Sequence, residues 1–450
     1  METDQNSQPS TARTLAHQIL CEYRRTGRFV SEITEREFSQ KSPSTPDRAL
    51  ITELVLGVVR HRITLEYLLN RFSRKRIKHA QYALTEALLL GLYQVMFLER
   101  IPHSAAINES VNIVRKRVGE HAVKFANGLL RAVARDFERY PHGEPNERSC
   151  PVSEGWAAFQ TDIFPNPETD PVEYISAAYG HPVWLIGRWL PRFGEAVTQQ
   201  ICMANNARPT IHVRWRGQQE PNADFSPVDG LAGLYAVEMA GPVSTFPGFD
   251  KGDFIVQGQP GYRAVEALRI ETGMDVLDLC SAPGAKAMHA ADLLQGTGRL
   301  IAVDKSLRRM KKLKENQERL RIRNIQPIIG DATDLQHWLK GEFPRILLDV
   351  PCSNTGELCR RVESRHRLNA DTIAGIAELQ HQLLASAAGK LSMGGTLVYS
   401  TCSLEEEEGS SVVRGFLSEG PGFSQEEERW FLPHENGCAG GYLARIVRHA

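Results

Sequence analysis

One stretch restricts the folds open to this chain more than any other. It is Val276-Leu-Asp-Leu-Cys-Ser-Ala-Pro-Gly-Ala-Lys286, and three acids that each close an apolar run follow it. The apolar start, the tight turn at Pro283 and Gly284, and the continuation beyond read as strand, loop and helix. Asp304 then ends Leu300-Ile-Ala-Val-Asp, Asp331 follows Ile328-Ile-Gly, and Asp349 closes Ile346-Leu-Leu-Asp. Any one of these acids alone reads as a helix N-cap. Three in register read as one edge of a parallel sheet, where a nucleotide-like ligand lies. Strands are expected at Asp275–Leu279, Arg299–Val303, Gln326–Ile329, Arg345–Asp349 and Gly395–Ser400, with helices between them. That is the pattern of a doubly wound α/β domain over residues 251–450.

A chain of 450 residues needs about two or three domains. From Thr11 to about Tyr140 the apolar spacing is helical, with Leu84, Leu88, Leu92 and Val95 on one face, so residues 1–140 are expected to be all-α. Ser42-Pro-Ser-Thr-Pro-Asp47 separates the first helices from the next and supplies capping chemistry. The Pro-rich and Gly-rich stretch 141–171 reads as a linker. Residues 172–250 join a helical segment, Val183–Asn205, to the strand-like Thr210-Ile-His-Val-Arg-Trp215, which suggests a small α+β, RRM-like domain.

No apolar run approaches the roughly 18 residues of a membrane span, and Met1 to Ser10 lacks a basic start followed by an apolar stretch; both point to the cytosol and away from a membrane partner. Eight cysteines without CxxC pairs exclude a disulfide frame and a structural metal site, leaving reduced thiols. The net charge of −1 conceals 22 Lys and Arg against 15 Asp and Glu in residues 1–140, an excess compatible with a polyanion or with an ordinary helical surface.

Two of those cysteines carry the chemistry. Cys352 lies in Asp349-Val-Pro-Cys-Ser-Asn-Thr-Gly356 and Cys402 in Tyr399-Ser-Thr-Cys-Ser403, each after an apolar run. A lone cysteine is ordinarily an inert buried thiol. A pair at strand ends beside a cofactor loop suits methylation of carbon 5 of cytosine, a poor nucleophile until a thiolate adds to carbon 6 and makes the ring enamine-like. Cys402 reads as the nucleophile, its thiolate favoured by Lys286 or by a helix starting near Leu404. Cys352 reads as the helper that lets the product leave, and Asp349 as a group sharing a proton with ring nitrogen 3. Gly284 permits close backbone approach, the helix N-terminus after it offers amide groups to a carboxylate, and Asp304 is suited to ribose hydroxyls. Of the basic stretches, Arg308–Arg323 holds eight Lys or Arg against two Glu and reads as a solvated helix face. Arg360, Arg361, Arg365 and Arg367 read as phosphate contacts, and Glu405–Glu408 as an acidic first helical turn.

At these motifs the chain resembles the Sun/RsmB family of bacterial ribosomal RNA cytosine-5 methyltransferases, over nearly its whole length. Asp47-Arg-Ala-Leu, Leu56-Gly-Val-Val-Arg60, Gly91-Leu-Tyr-Gln94, Arg100-Ile-Pro-His103 and Asn127-Gly-Leu-Leu-Arg131 resemble the NusB-like helical RNA-binding domain of that branch. The resemblance implies that Cys280, Ser281, Ala282, Pro283, Gly284, Ala285 and Lys286, with Asp304, Asp331 and Asp349, bind S-adenosylmethionine. It also implies that Cys402 attacks cytosine and Cys352 assists release. Gly440-Gly-Tyr-Leu-Ala-Arg445 is similar to the family's last strand. Three departures stand out: Ala285 in place of a second glycine, Val256-Gln-Gly-Gln-Pro-Gly261 where Gln-Asp is usual, and Asn354 with Glu357-Leu-Cys-Arg-Arg361 in the Pro-Cys-Ser loop.

The expected activity is therefore S-adenosylmethionine-dependent methylation of cytosine carbon 5 in RNA, foremost 16S ribosomal RNA, by a monomer. One rival is a transfer RNA methyltransferase of the same chemistry. Another is a ribosome-assembly RNA-binding factor with an inactive domain, against which both cysteines, Lys286 and Asp349 argue. A redox pair of Cys352 and Cys402 is disfavoured by their separation of 50 residues without a CxxC motif.

Overall fold

A computed structural model describes residues 11–73, 81–153, 155–239, 241–437 and 439–449; the polar N-terminal segment up to Ser10 lies outside them. The chain divides into two compact units, residues 1–207 and 208–450.

The first unit begins with seven helices: α1 (Ala12–Thr26), α2 (Val30–Lys41), α3 (Thr45–Arg60), α4 (Arg62–Phe72), α5 (Tyr82–Phe97), α6 (His103–Arg117) and α7 (Val123–Asp136). Ser44 caps α3 by accepting from Asp47 N, with Pro46 in the first turn, as the sequence chemistry predicts. Helix α5 is apolar on nearly every side and almost wholly buried, which makes it the centre of the bundle. Its one buried carboxylate, Glu86, is paired with Arg62 at 2.7 Å.

The stretch read as a linker is structured. Strands β1 (Phe137–Tyr140), β2 (Ser149–Val152) and β3 (Gly155–Phe159) form an antiparallel sheet in the order β1-β3-β2. Buried Cys150, Ala157, Phe159, Ile163 and Phe164 provide the driving force that the surrounding Pro and Gly conceal. After α8 (Pro171–Tyr179), the helical segment expected at Val183–Asn205 is split by Gly194 into α9 (Val183–Phe193) and α10 (Glu195–Asn206). These helices belong to the first unit, whereas the strands expected in the same small domain belong to the second.

The second unit opens with β4 (Ile211–Trp215), β5 (Phe225–Pro227), β6 (Leu234–Val237) and β7 (Phe254–Val256), an antiparallel sheet in the order β5-β6-β4-β7. Then come α11 (Gln259–Glu266), β8 (Asp275–Leu279), α12 (Ala285–Leu293), β9 (Arg299–Asp304), α13 (Leu307–Arg319), β10 (Ile325–Ile329), α14 (Leu335–Trp338) and β11 (Phe343–Asp349). The chain continues with α15 (Ala370–Ala388), β12 (Leu391–Thr401), α16 (Ser410–Glu419), β13 (Phe423–Phe431) and β14 (Gly441–Arg448).

The seven-stranded sheet runs β10-β9-β8-β11-β12-β14-β13, parallel from β10 to β12 and antiparallel thereafter. All five parallel strands coincide with the expected ones to within a few residues. Side chains alternate across it: Leu277, Leu279, Ile346, Leu348, Leu397 and Tyr399 enter one core, and Val276, Leu300, Leu347 and Val398 the other. Both faces are therefore covered, and the C-terminal ends of β8, β9, β11 and β12 come out along one edge.

Candidate active site

After β8 the chain turns sharply. Cys280 takes a left-handed conformation, φ +57°, and Gly284 does so at φ +101° before α12 begins. Gly284 is required twice over, because a Cβ there would also lie 2.9 Å from the Leu313 side chain. Ser281 N donates to Val303 O at 3.0 Å and Ser281 Oγ to Asp278 Oδ2 at 2.6 Å. Asp304, at the end of β9, accepts from Ala282 N at 3.2 Å and Ser306 N at 2.9 Å, so its carboxylate is fixed against this loop. Arg309 closes the turn from outside through Ala282 O and lies 3.5 Å from Asp304. Burial pushes the Cys280 thiol up to about 12, which makes it a packing group.

Asp331 is exposed and caps the turn after β10 through Thr333 N and Oγ1, at 2.9 and 2.8 Å; these bonds hold its carboxyl below the usual range. Asp349, at the end of β11, accepts from Lys286 Nζ at 2.7 Å and from Ser400 Oγ at 2.8 Å. Burial opposes the Lys286 charge, but Asp349 outweighs it, and the ammonium stays protonated above its ordinary range. Lys286, Asp349, Glu357, Ser400 and Cys402 line a cavity of about 180 Å³, closed on another side by Gln257, Gly258 and Gly261. The Val256–Gly261 departure therefore forms part of the wall.

The two cysteines meet. Cys352 Sγ and Cys402 Sγ lie 2.9 Å apart as free thiols, and Cys402 Sγ is 3.2 Å from Asn354 Oδ1. The expected lowering of the Cys402 pKa is not found: its contact with Cys352, then burial, push it well above the ordinary thiol value. Both causes favour the protonated thiol over the thiolate. The helix expected near Leu404 begins as a 3-10 turn at Glu406–Glu408, followed by α16.

Arg365, expected among the phosphate contacts, is 1% exposed. Arg360, Arg361 and Arg367 are exposed; Arg360 is engaged with Thr210 O at 2.6 Å and Glu357 at 2.9 Å, and Arg367 lies 4.0 Å from Glu363. On α13, Lys311, Lys312 and Lys314 face solvent as read, while Arg319 turns inward to Phe249 O and Phe254 O.

Two residues escaped the sequence reading. Asp278 is fully buried, its Oδ1 has no partner, and burial raises its pKa to about 7. Its place in the middle of an otherwise apolar strand was the available signal. Glu408 is also fully buried, joined to Ser353 N and Ser403 Oγ at 2.8 Å each. Nothing local marked it, since it ends a run of four glutamates.

Comparison with known proteins agrees with this division. Residues 265–449 match the family model described as 16S rRNA methyltransferase RsmB/F, and residues 10–135 match the NusB family. The chain is 30% identical to the probable ribosomal RNA small subunit methyltransferase B of Synechocystis sp., over 98% of this chain and 96% of that one. It is 31% identical to ribosomal RNA small subunit methyltransferase B of Pseudomonas putida, over 90% and 91%. Among solved structures, that of PH0851 superposes with a TM-score of 0.73 over 99% of this chain and 100% of that one; at 21% identity this concerns the fold alone.

Proposed function

Because the chain belongs to the ribosomal RNA small subunit methyltransferase B family, we propose that it methylates carbon 5 of a cytosine in 16S ribosomal RNA, with S-adenosylmethionine as methyl donor. The observation that carries the reading is the meeting of Cys352 and Cys402 beside a cavity lined by Lys286 and Asp349. A reaction that makes and then breaks a carbon–sulfur bond has work for two thiols; a purely RNA-binding factor has none.

The residues present fit the donor. Residues 280–286, Asp304 and Asp331 would hold it, and the unpartnered Oδ1 of Asp278, near the end of β8, is a further acceptor beside that loop. When bound, S-adenosylmethionine supplies an electrophilic methyl group. The chain's own part begins when Cys402 gives its proton to a general base and its sulfur adds to carbon 6, which makes carbon 5 nucleophilic. Lys286, kept charged by Asp349, offsets negative charge developing on the ring, and Asp349 offers an acceptor to the pyrimidine's polar edge. After methylation a base removes the carbon 5 proton, the released electron pair restores the carbon 5–carbon 6 double bond, and the carbon–sulfur bond breaks. Cys352 gives the departing sulfur a proton. A stacked base cannot offer carbon 6 to a thiol, so the target is a loop nucleotide or one flipped out. The helical unit, matched to the NusB family, would bind and orient the RNA.

The test is a denaturing gel of Cys352→Ala and Cys402→Ala proteins after incubation with S-adenosylmethionine and separate ribosomal and transfer RNA pools. Cys352→Ala should accumulate a stable protein–RNA adduct with ribosomal RNA. Cys402→Ala should form none and lose at least about 10³-fold in methyl transfer. No adduct from Cys352→Ala with cofactor bound, or an adduct with transfer RNA alone, overturns the corresponding part of the proposal.

A further inference from the structure

We propose that Glu408 is a positioning residue that sets the distance between the two cysteines; the inference rests on the reading that Cys402 attacks and Cys352 releases. Cys352 and Cys402 leave different strands and are 50 residues apart in sequence, so no local turn fixes one sulfur relative to the other. One buried carboxyl group joins their loops. Glu408 Oε2 accepts from Ser353 N, the amide directly after Cys352, at 2.8 Å. Its Oε1 accepts from Ser403 Oγ, on the residue directly after Cys402, also at 2.8 Å.

A third donor completes the clamp. Gln380 Nε2, from α15, lies 3.2 Å from Glu408 Oε2 and 2.9 Å from Pro351 O, so the peptide groups on both sides of Cys352 are held. Tyr399 OH, on the strand that leads to Cys402, donates to Glu408 O at 2.6 Å and keeps the residue's own backbone in place. Glu408 is absent from the cavity wall and from the reaction course above. Its partners are neutral donors rather than a cation, which is the arrangement of an acceptor chosen for geometry rather than for charge.

That distinction separates two substitutions. Alanine would leave Ser353 N buried without its acceptor and remove the bond from Glu408 to each loop, so that the segment carrying Cys352 shifts relative to Cys402 although Gly356 N–Cys402 O and Leu404 N–Thr355 Oγ1 remain. Glutamine keeps one oxygen for Ser353 N and Gln380. Its amide can donate to Ser403 Oγ, whose hydroxyl can then turn to Ser353 Oγ or Thr355 Oγ1, each 3.1 Å away. The charge disappears and the spacing stays.

The experiment compares full-length wild type, Glu408→Ala, Glu408→Gln and Glu408→Asp. Thiol spacing is read without RNA, as the rate at which diamide converts the two thiols to a Cys352–Cys402 disulfide, the reagent taking up two electrons and two protons; peptide mass mapping identifies the bond. Methyl transfer to ribosomal RNA, as kcat and KM, and S-adenosylhomocysteine affinity are measured alongside. Glu408→Ala should cross-link about tenfold or more slowly and lose kcat by a similar factor, with cofactor affinity unchanged, whereas Glu408→Gln should match wild type in both. If Glu408→Ala fails to bind S-adenosylhomocysteine, Glu408→Asp, one methylene shorter, is decisive and should cross-link more slowly while still binding. Wild-type cross-linking in a folded Ala or Asp variant overturns the proposal, as does a folded Gln variant that cross-links as slowly as Ala. If wild type shows no methyl transfer while cross-linking still depends on Glu408, the functional reading fails and the positioning role stands.

Discussion

Around Gly284 the loop after β8 is held by partners close in sequence or on the adjacent strand: Ser281 reaches back three residues to Asp278, and Ala282 N bonds to Asp304 of β9. Around Cys402 the partners come from much further along the chain. Gly356 N donates to Cys402 O, Leu404 N to Thr355 Oγ1, and Glu408 receives Ser353 N across 55 residues. The glycine-loop side of the site is thus a turn built from backbone conformation, and the cysteine side is a network tying two loops together. A turn fails locally and in proportion to what is removed. A network fails together when a shared acceptor is lost.

Substitutions on the glycine-loop side should therefore leave the cysteine side untouched. The largest expected effect is that of Asp304→Ala, which removes a charged acceptor: S-adenosylhomocysteine affinity, by calorimetry, should fall about ten- to hundredfold. The Cys352–Cys402 cross-linking rate should not change, and a parallel change would break the contrast. Next comes Gly284→Ala, which forces a left-handed residue against Leu313. It should cost about 1–3 kcal/mol, seen as a lowered Tm that bound S-adenosylhomocysteine does not restore to the wild-type value.

The smallest effect depends on pH. Burial raises the folded-state pKa of Asp278 from 3.8 to about 7, so the fold carries the cost of a buried charge above pH 7 and sheds it as protonation proceeds toward pH 4. The rise from 3.8 to about 7 sets an upper bound of about 4 kcal/mol at pH 8; Asp278→Asn, which keeps an acceptor for Ser281, should recover at least about 1 kcal/mol of it, with the gain gone near pH 4, as urea melts at the two pH values would measure. A gain that persists at pH 4 would point to packing instead of charge.

The same contrast explains what could be read in the chain beforehand. Strands β8 to β12 were legible because a parallel strand buried on both faces is a nearly unbroken apolar run. The acids behind them were legible because each follows such a run. Strand β13 was missed: Phe423–Phe431 carries Glu426, Glu427, Glu428 and Arg429 and forms the sheet's edge, where one side of the strand has no neighbour and charge is tolerated. The hairpin of β2 and β3 was hidden by proline and glycine, although its few apolar residues are buried. Cys352 and Cys402 could be paired by chemistry, but their 2.9 Å approach rests on bonds between distant loops, among them those of Glu408, whose local sequence signals a helix start. Arg365 misled for a related reason: its type suggests a surface, and only the packed loop shows it buried.

The sheet order also bears on how the protein is made. Strand β12, which delivers Cys402, is flanked on one side by β11 and on the other by β14. As the polypeptide leaves the ribosome, β12 has its first neighbour before its second, because β11 precedes it in the chain while β14 (residues 441–448) follows only after α16 and β13. Until the β13–β14 hairpin arrives, the strand that delivers Cys402 has an open flank, and the wall formed by Gly440 and Tyr442 is missing from the cavity. A nascent chain can thus form the turn after β8 before it can close the cavity around Cys402.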